Sequence, residues 1–234
     1  MPTQTGDLAK RLNFCNWLLN MVDEDENFPL KIMFTDEANF SRDAQVNLHN
    51  AHYWAVENPH WLRECRFQRK WSFNVWAGIF NGSVIGPHFF DGTLTGHRYK
   101  EEILEAIVDA FISEIPLSEY RVMYYQHDGA PPHAASSARG WVDAAFSERW
   151  IGRGGHISWP PRSPDLNPLD FFFWGYLKDC IYVEDPTSPD VLRRRIEAAC
   201  DSLSSQQLES AARSLVERCQ MCIGVEGGHF ERLH

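Results

Sequence analysis

Residues 71–90, WSFNVWAGIFNGSVIGPHFF, contain two apolar runs that are separated by Asn81-Gly82. Both turn residues tolerate positive φ, and Asn-Gly between apolar runs is the strongest short-range indication of a β-hairpin. Upstream, KIMFTDEANF (31–40) is typical of a buried strand, which we expect to end near Asp36. The first part of the chain therefore predicts a meander of antiparallel strands.

Helical and extended patterns alternate after the hairpin. Apolar residues at helical spacing predict a helix over 99–112, and the two prolines of HDGAPPH (127–133) are expected to open another. Short apolar runs predict strands at RVMYYQ (121–126) and HISW (156–159), with a further short strand at 45–48. This order predicts an α/β fold with a mixed central sheet.

Helices are expected at both ends of this core. The apolar positions from Leu8 to Val22 have helical spacing. Asn167-Pro168 and Ser188-Pro189 each combine an N-cap residue with a proline suited to the first helical position. A last helix has apolar residues on one face, namely Leu208, Ala211, Ala212, Leu215, Cys219 and Cys222.

Composition limits the classes of function. The 234 residues, 44% hydrophobic, suit one large domain with a sizeable core. The chain has 22 basic and 32 acidic residues, a net charge of −10, whereas a simple DNA-binding module usually has a basic surface. Neither a signal peptide nor an apolar run of membrane-spanning length is present. Because six cysteines in such a chain suggest no disulfide framework, we expect a reduced, intracellular protein.

Three aspartates occupy positions where α/β sheets gather functional groups. Asp36 follows the first strand, Asp128 follows the fourth, and Asp170 opens the helix after the last. Converging carboxylates need cations, and Mg²⁺ or Mn²⁺ prefer oxygen ligands. Two such ions, about 3.5–4 Å apart, can promote phosphodiester cleavage. Crowding also predicts a raised pKa for at least one carboxyl group, and a stabilising effect of Asp128→Asn without metal.

Each aspartate also has a purely structural interpretation. Asp170 lies where a helix dipole favours an acid, Asp128 precedes Gly129 and suits a turn, and Asp36 could cap a loop. Position alone therefore leaves both interpretations open.

Several longer motifs resemble one known family. FTDEANF (34–40), FNVWAGIF (73–80), QHDGAPPH (126–133) and SPDLNPLD (163–170) resemble motifs of the mariner-type transposases of the DDE/D class, and the resemblance runs from about Arg11 to about Ala199. It implies an RNase H-like fold, a mixed central sheet flanked by helices. It also implies a metal-dependent DNA transposase, which hydrolyses a phosphodiester at the transposon end and then joins the 3′-hydroxyl to target DNA.

The same resemblance assigns residues to the site. It implies that Asp36, Asp128 and Asp170 are the catalytic and metal-binding acids, with Asp170 rather than Asp165 as the third. Asp36 would bridge two Mg²⁺ or Mn²⁺ ions, and the other two acids would each hold mainly one. Two further residues match family motifs and are expected to support the site, with a helix-start role as the alternative: Asn167 and His133.

Basic and cysteine-rich segments give weaker predictions. Arg63, Arg66, Arg69 and Lys70 precede the hairpin and are candidates for phosphate contacts, with a solvated surface as the alternative. Arg193, Arg194 and Arg195 are a poorer candidate, since consecutive helical residues point in different directions. Cys219-x-x-Cys222 with His229 and His234 permits a zinc interpretation, but the spacing is shorter than usual and both cysteines suit a helix face.

We expect three parts: an N-terminal helix region (1–28), a catalytic domain (29–185) and C-terminal helices (186–234). The resemblance implies a preceding helix-turn-helix region, which we expect to be absent from this chain. Expected partners are DNA and a second copy or a full-length transposase, in the nucleus and without a membrane. The alternative is a truncated or host-adopted remnant that binds nucleic acid or protein without catalysis. A metal-dependent RNase is a third possibility, by fold analogy.

Overall fold

The computed structural model describes residues 5–42 and 71–230. One six-stranded sheet has the order β3-β2-β1-β4-β5-β6. The antiparallel half comprises β1 (Ile32–Ser41), β2 (Ser72–Phe80) and β3 (Ser83–Phe90), and the half parallel to β1 comprises β4 (Tyr124–Gln126), β5 (Trp150–Gly152) and β6 (Ile157–Ser158). The predicted mixed sheet is confirmed.

The hairpin follows the prediction closely. Asn81 and Gly82, at φ 45° and 74°, connect β2 to β3 in a tight turn. Both residues take left-handed backbone values, which Asn and Gly accept most readily.

Strand β1 runs further than predicted. It pairs with β4 only over Ile32–Phe34, but with β2 as far as Ser41. Asp36 is therefore inside a strand and not at its end, because the antiparallel neighbour carries β1 onward. It still lies two residues past the last pairing with β4, so it reaches the carboxyl edge of the parallel half.

Helices cover both faces of the sheet. They are α1 (Thr5–Glu24), α2 (Gly96–Arg98), α3 (Asp109–Glu114), α4 (Leu117–Tyr120), α5 (Ser136–Phe146), α6 (Trp174–Ile181), α7 (Pro189–Asp201) and α8 (Ser205–Gly224). Four shorter or wider segments join them: 3₁₀ turns at Phe28–Lys31 and Pro164–Leu166, and π-helical segments at Tyr99–Val108 and Leu169–Phe173. Gly96–Glu114 is helical throughout, which confirms the helix predicted over 99–112. None of the helices in the described ranges has the length and apolar character needed to cross a bilayer.

Alternation along the strands creates two cores. Phe34 and Ile79 face a layer built from α1, α6, α7 and α8, whereas Met33 and Trp76 face the π-helical segment 99–108 and α5. A three-layer α/β/α arrangement follows, because each face of the sheet must bury its apolar side chains.

Some boundaries differ from the sequence predictions. β5 was not predicted, and β4 begins at Tyr124 rather than Arg121. The helix expected from the prolines of HDGAPPH begins only at Ser136, because the chain first makes a turn in which Ala134 N–H donates to Ala130 O. The strand predicted at 45–48 lies outside the described residues.

Candidate active site

A cleft of about 440 Å³ opens at the carboxyl edge of the parallel strands. Asp36 comes from β1, Asp128 from the loop after β4, and Asp170 from the π-helical segment after β6. The rest of its lining comprises Glu37, Gly129, Ala130, Asn167 and the loop from Trp159 to Pro164. The three aspartates named by the sequence therefore border one cavity.

Asp36 is held from the side of α6. The indole Nε1 of Trp174 donates to Asp36 Oδ2 at 2.7 Å. Burial and the nearby charges of Asp170, Glu37 and Asp128 raise the pKa of Asp36 well above its usual range, although the Trp174 hydrogen bond opposes this. The expectation that one carboxyl group has a raised pKa is confirmed at Asp36.

Asp128 has the opposite surroundings. Its Oδ1 accepts the Ala130 N–H at 2.8 Å and lies 2.7 Å from His133 Nδ1. Burial opposes ionisation of Asp128, but the hydrogen bond and charge of His133 outweigh it, and the pKa of Asp128 is lowered. This lowered pKa favours the opposite of the effect expected from crowding, namely that Asp128→Asn destabilises the metal-free protein, because the fold stabilises this carboxylate.

His133 is a buried side chain that joins two of the acids lining the cleft. The side chain is 2% exposed, and its Nε2 lies 3.2 Å from Glu37 Oε1. Burial lowers the pKa of His133, but Glu37 and Asp128 more than compensate and raise it to about 10. His133 is thus an imidazolium that donates to Glu37 and Asp128, and it lies beside two of the acids that line the cleft.

Glu37 was missed by the sequence reasoning. Neighbouring residues in a strand point to opposite faces, so Asp36 turns toward Trp174 and Glu37 turns toward His133. Both still reach the cleft because β1 has passed the end of β4 there. The adjacent pair Asp-Glu near the end of a buried strand was the available signal.

A buried polar cluster lies behind His133. The ring of His127 stacks on that of His133 at 4.9 Å between centroids, and the Tyr99 hydroxyl lies 3.2 Å from His127 Nδ1 and 2.7 Å from the Tyr125 hydroxyl. Burial and the charge of His133 lower the pKa of His127 well below its usual range. His127 is therefore neutral, and the positive charge is confined to His133.

The two acids of SPDLNPLD, Asp165 and Asp170, have different surroundings in the fold. Asp165 is 1% exposed and receives both Arg11 Nη1, at 2.7 Å, and Arg11 Nη2, at 2.5 Å. Asp170 is exposed and borders the cleft. Between them, Asn167 Oδ1 accepts the Leu169 N–H at 3.2 Å and its Nδ2 reaches Thr35 O at 3.5 Å. Asn167 thus starts the helix and ties it to β1.

The carboxylates of the cleft are the type of ligand that a hard divalent cation prefers. Asp36 and Asp128 each use one oxygen for the orienting hydrogen bonds described above, as metal-binding carboxylates commonly do. Within 5–42 and 71–230, however, no three acidic, histidine or cysteine side chains are gathered into a ready-made metal centre. The acids border a cleft and do not meet at one point.

The weaker candidates fall elsewhere. Arg63, Arg66, Arg69 and Lys70 lie outside the described residues. The arginines of α7 do not form a patch, since Arg193 stacks on Phe89 at 4.3 Å and Arg195 donates to Ile181 O at 2.8 Å.

The cysteines of α8 belong to the core. Cys219 and Cys222 are both fully buried, and Arg11 Nη2 lies 3.5 Å from Cys222 Sγ. No metal cluster includes them in the described part of the chain, while His234 lies beyond it. The helix-face interpretation accounts for both residues.

Comparisons with solved structures agree with this architecture. The catalytic domain of Mos1 transposase, solved with raltegravir and Mg, superposes with a TM-score of 0.75 at 16% identity and covers 99% of this chain and 100% of that one. The pre-cleavage Mos1 transpososome gives 0.77 at 19% identity, over 99% of this chain and 66% of that one. The protein therefore has the RNase H-like fold of the mariner catalytic domain.

Sequence relatives make the assignment more specific. The Tc3 transposase of Caenorhabditis elegans is 26% identical over 200 residues, which are 84% of this chain and 56% of that protein. The Tcb1 transposase of Caenorhabditis briggsae is 27% identical over 157 residues, or 67% of this chain and 53% of that protein. No family model matches. The chain is similar in sequence to these transposases and spans about half the length of the curated relatives it matches.

Proposed function

We propose that this chain is the catalytic domain of a metal-dependent DNA transposase, which hydrolyses a phosphodiester at a transposon end and transfers the 3′-hydroxyl to target DNA. The observation that carries the proposal is the arrangement of Asp36, Asp128 and Asp170, from three separate segments, around one cleft. Relatives that are named transposases and Mos1 complexes with transposon ends support it. We assign the catalytic domain to 29–185, with the described parts of the two flanking regions, 5–28 and 186–230, contributing helices to the layer over the sheet.

The three aspartates would hold two Mg²⁺ or Mn²⁺ ions, as the Mos1 structures with Mg and with Mn suggest. When bound, such ions activate the attacking oxygen and stabilise the leaving oxygen of phosphodiester cleavage. Trp174 and His133 fix one oxygen each of Asp36 and Asp128, and the second oxygen of each would hold an ion. The partners are DNA and a second copy of a transposase chain, and the compartment is the nucleus, where the DNA is.

Nicking of supercoiled plasmid tests the proposal. We expect the chain to nick DNA with Mn²⁺ or Mg²⁺, and Asp36→Ala and Asp170→Ala to lose about 10³-fold or more, as removal of an essential catalytic group does. Asp179→Ala is the matched control, because Asp179 is exposed on α6 and does not line the cleft. Equal cleavage by wild type and Asp36→Ala would contradict the assignment.

Thermal melting with Mn²⁺ separates an inactive chain from one without a metal site. A ligand that binds only the folded state raises the melting temperature with concentration. A rise in wild type that Asp36→Ala and Asp170→Ala both lack, without any nicking, would favour the non-catalytic remnant. No rise and no nicking would overturn the metal site itself.

A further inference from the structure

The loop that forms one wall of the cleft carries a basic residue. Among the described residues that line the cleft, Arg162 alone is cationic. Its backbone has φ 54°, a left-handed value that costs free energy for a residue with a Cβ. Two prolines, Pro160 and Pro161, precede it and Pro164 follows, so the loop is stiff on both sides. The loop thus holds a guanidinium at the edge of an acidic cavity.

The guanidinium is paired with an acid of α1. Arg162 Nη2 contacts Oδ2 of Asp7, in the first turn of that helix, and the two side chains are 37% and 12% exposed. The pair is asymmetric, since Asp7 as a whole residue is 8% exposed whereas the guanidinium is open to water and can reach a second anion. Phosphate oxygens can replace a carboxylate on a guanidinium, since both accept its N–H groups in the same forked geometry.

The loop that carries Arg162 is anchored by the buried side chain of Arg11. Arg11 Nη1 donates to Ser163 Oγ at 2.7 Å, and the Arg11–Asp165 ion pair holds the residues that follow. Arg162 can therefore exchange its partner by a side-chain movement, while the wall of the cleft stays in place.

We propose that Arg162 binds a backbone phosphate of the DNA strand that enters the cleft, and that Asp7 holds the guanidinium until the phosphate replaces it. This inference rests on the proposed function. Asp36, Glu37, Asp128 and Asp170 all line the cleft, so a polyanion approaching it meets strong repulsion. A cation at the rim reduces that repulsion for the phosphate nearest the reacting one.

Binding of a fluorescent DNA duplex across a KCl series, at fixed Ca²⁺, tests this with the full chain. Arg162→Gln should bind about tenfold more weakly and lose about 0.9 from the slope of log K against log salt, as one lost phosphate contact requires. Arg162→Lys should keep the slope. Asp7→Asn should bind about three- to fivefold more tightly, the scale of one partly exposed ion pair, and this gain should vanish in the double variant with Arg162→Gln.

Arg121→Gln is the matched control. Arg121 is exposed and precedes β4, at the edge of the sheet opposite the cleft, and its loss changes the net charge equally. An unchanged slope in Arg162→Gln, or a loss as large in Arg121→Gln, overturns the inference. Weaker binding by Asp7→Asn, accompanied by lower melting temperatures, would show that the pair only supports the fold. If wild type neither binds nor nicks DNA, the proposed function fails and this inference fails with it.

Discussion

Two ionic clusters flank the loop from Trp159 to Pro164, and they differ in how far their charges cancel. In the first, fully buried Arg11 donates to Ser163, to both oxygens of Asp165 and to Gly227 O at 2.8 Å, and the two charges cancel. In the second, four acidic side chains line the cleft, His133 pairs with two of them, and the guanidinium of Arg162 is already paired with Asp7. A balanced cluster acts as a cross-link, whereas an unbalanced one needs charge from outside. The difference separates a structural acid from catalytic candidates within one motif.

Removal of Arg11 should produce the largest effect. Arg11→Met leaves Asp165 buried without its partner, which typically costs about 3–5 kcal/mol of unfolding free energy. Urea denaturation should show this loss, and Arg11→Met with Asp165→Leu should recover much of it because no isolated charge remains.

The matched control for Arg11 is Lys31→Met. Lys31 pairs with Asp25 at the surface, where solvent screens the interaction, so the urea midpoint should hardly move. Equal midpoints for Arg11→Met and wild type would show that the buried cluster is not a cross-link.

Within the cleft, neutralising two different aspartates should have opposite effects. Without metal at pH 7, Asp128→Asn should lower stability by about 1–2 kcal/mol, because His133 loses a charged acceptor and the carboxylate is partly exposed. Asp36→Asn should raise the melting temperature by roughly 2–4 °C, since it removes a carboxylate whose ionisation the fold disfavours. Both variants should lose activity. Shifts of the same sign, measured by thermal melting, would contradict the distinction between the two acids.

The smallest effect expected is a pH dependence from His133. Its pKa rises from 6.5 to about 10 on folding, so the folded protein binds this proton more tightly than the unfolded chain. The stabilisation is complete below pH 6.5 and is lost as the pH rises toward 10. Between pH 7.5 and 8.5, wild type should lose about 1 kcal/mol more than His133→Gln. Parallel stability curves for the two proteins would exclude the imidazolium.

Local sequence patterns predicted the parts of the fold that are stabilised locally. The hairpin at Asn81-Gly82 and helix α7 with its Ser188 cap agree because their turn and cap residues act within a few positions. β5 escaped prediction because Trp150 to Gly152 lead directly into the glycine-rich stretch 152–155, which is typical of a turn. It is held in place by the neighbouring β4 and β6.

The site was predictable only in part, because some of its contacts join residues that are far apart in the sequence. Motif positions identified the aspartates that border the cleft, but the partners that orient them are distant in sequence. Trp174 lies 138 residues from Asp36, and Glu37 lies 96 residues from His133. Nothing local marks such pairs, since the sheet topology alone brings them together.

The bond from Arg11 to Gly227 spans 216 residues and links the first helix to the turn after the last one. At a synthesis rate of about 5–20 residues per second, roughly 10–40 s pass between the appearance of the two residues on a ribosome. During that interval Arg11 lacks this acceptor, and the loop that bears Arg162 lacks its finished support. A nascent chain therefore cannot complete the support of this cleft wall before Gly227 has been synthesised.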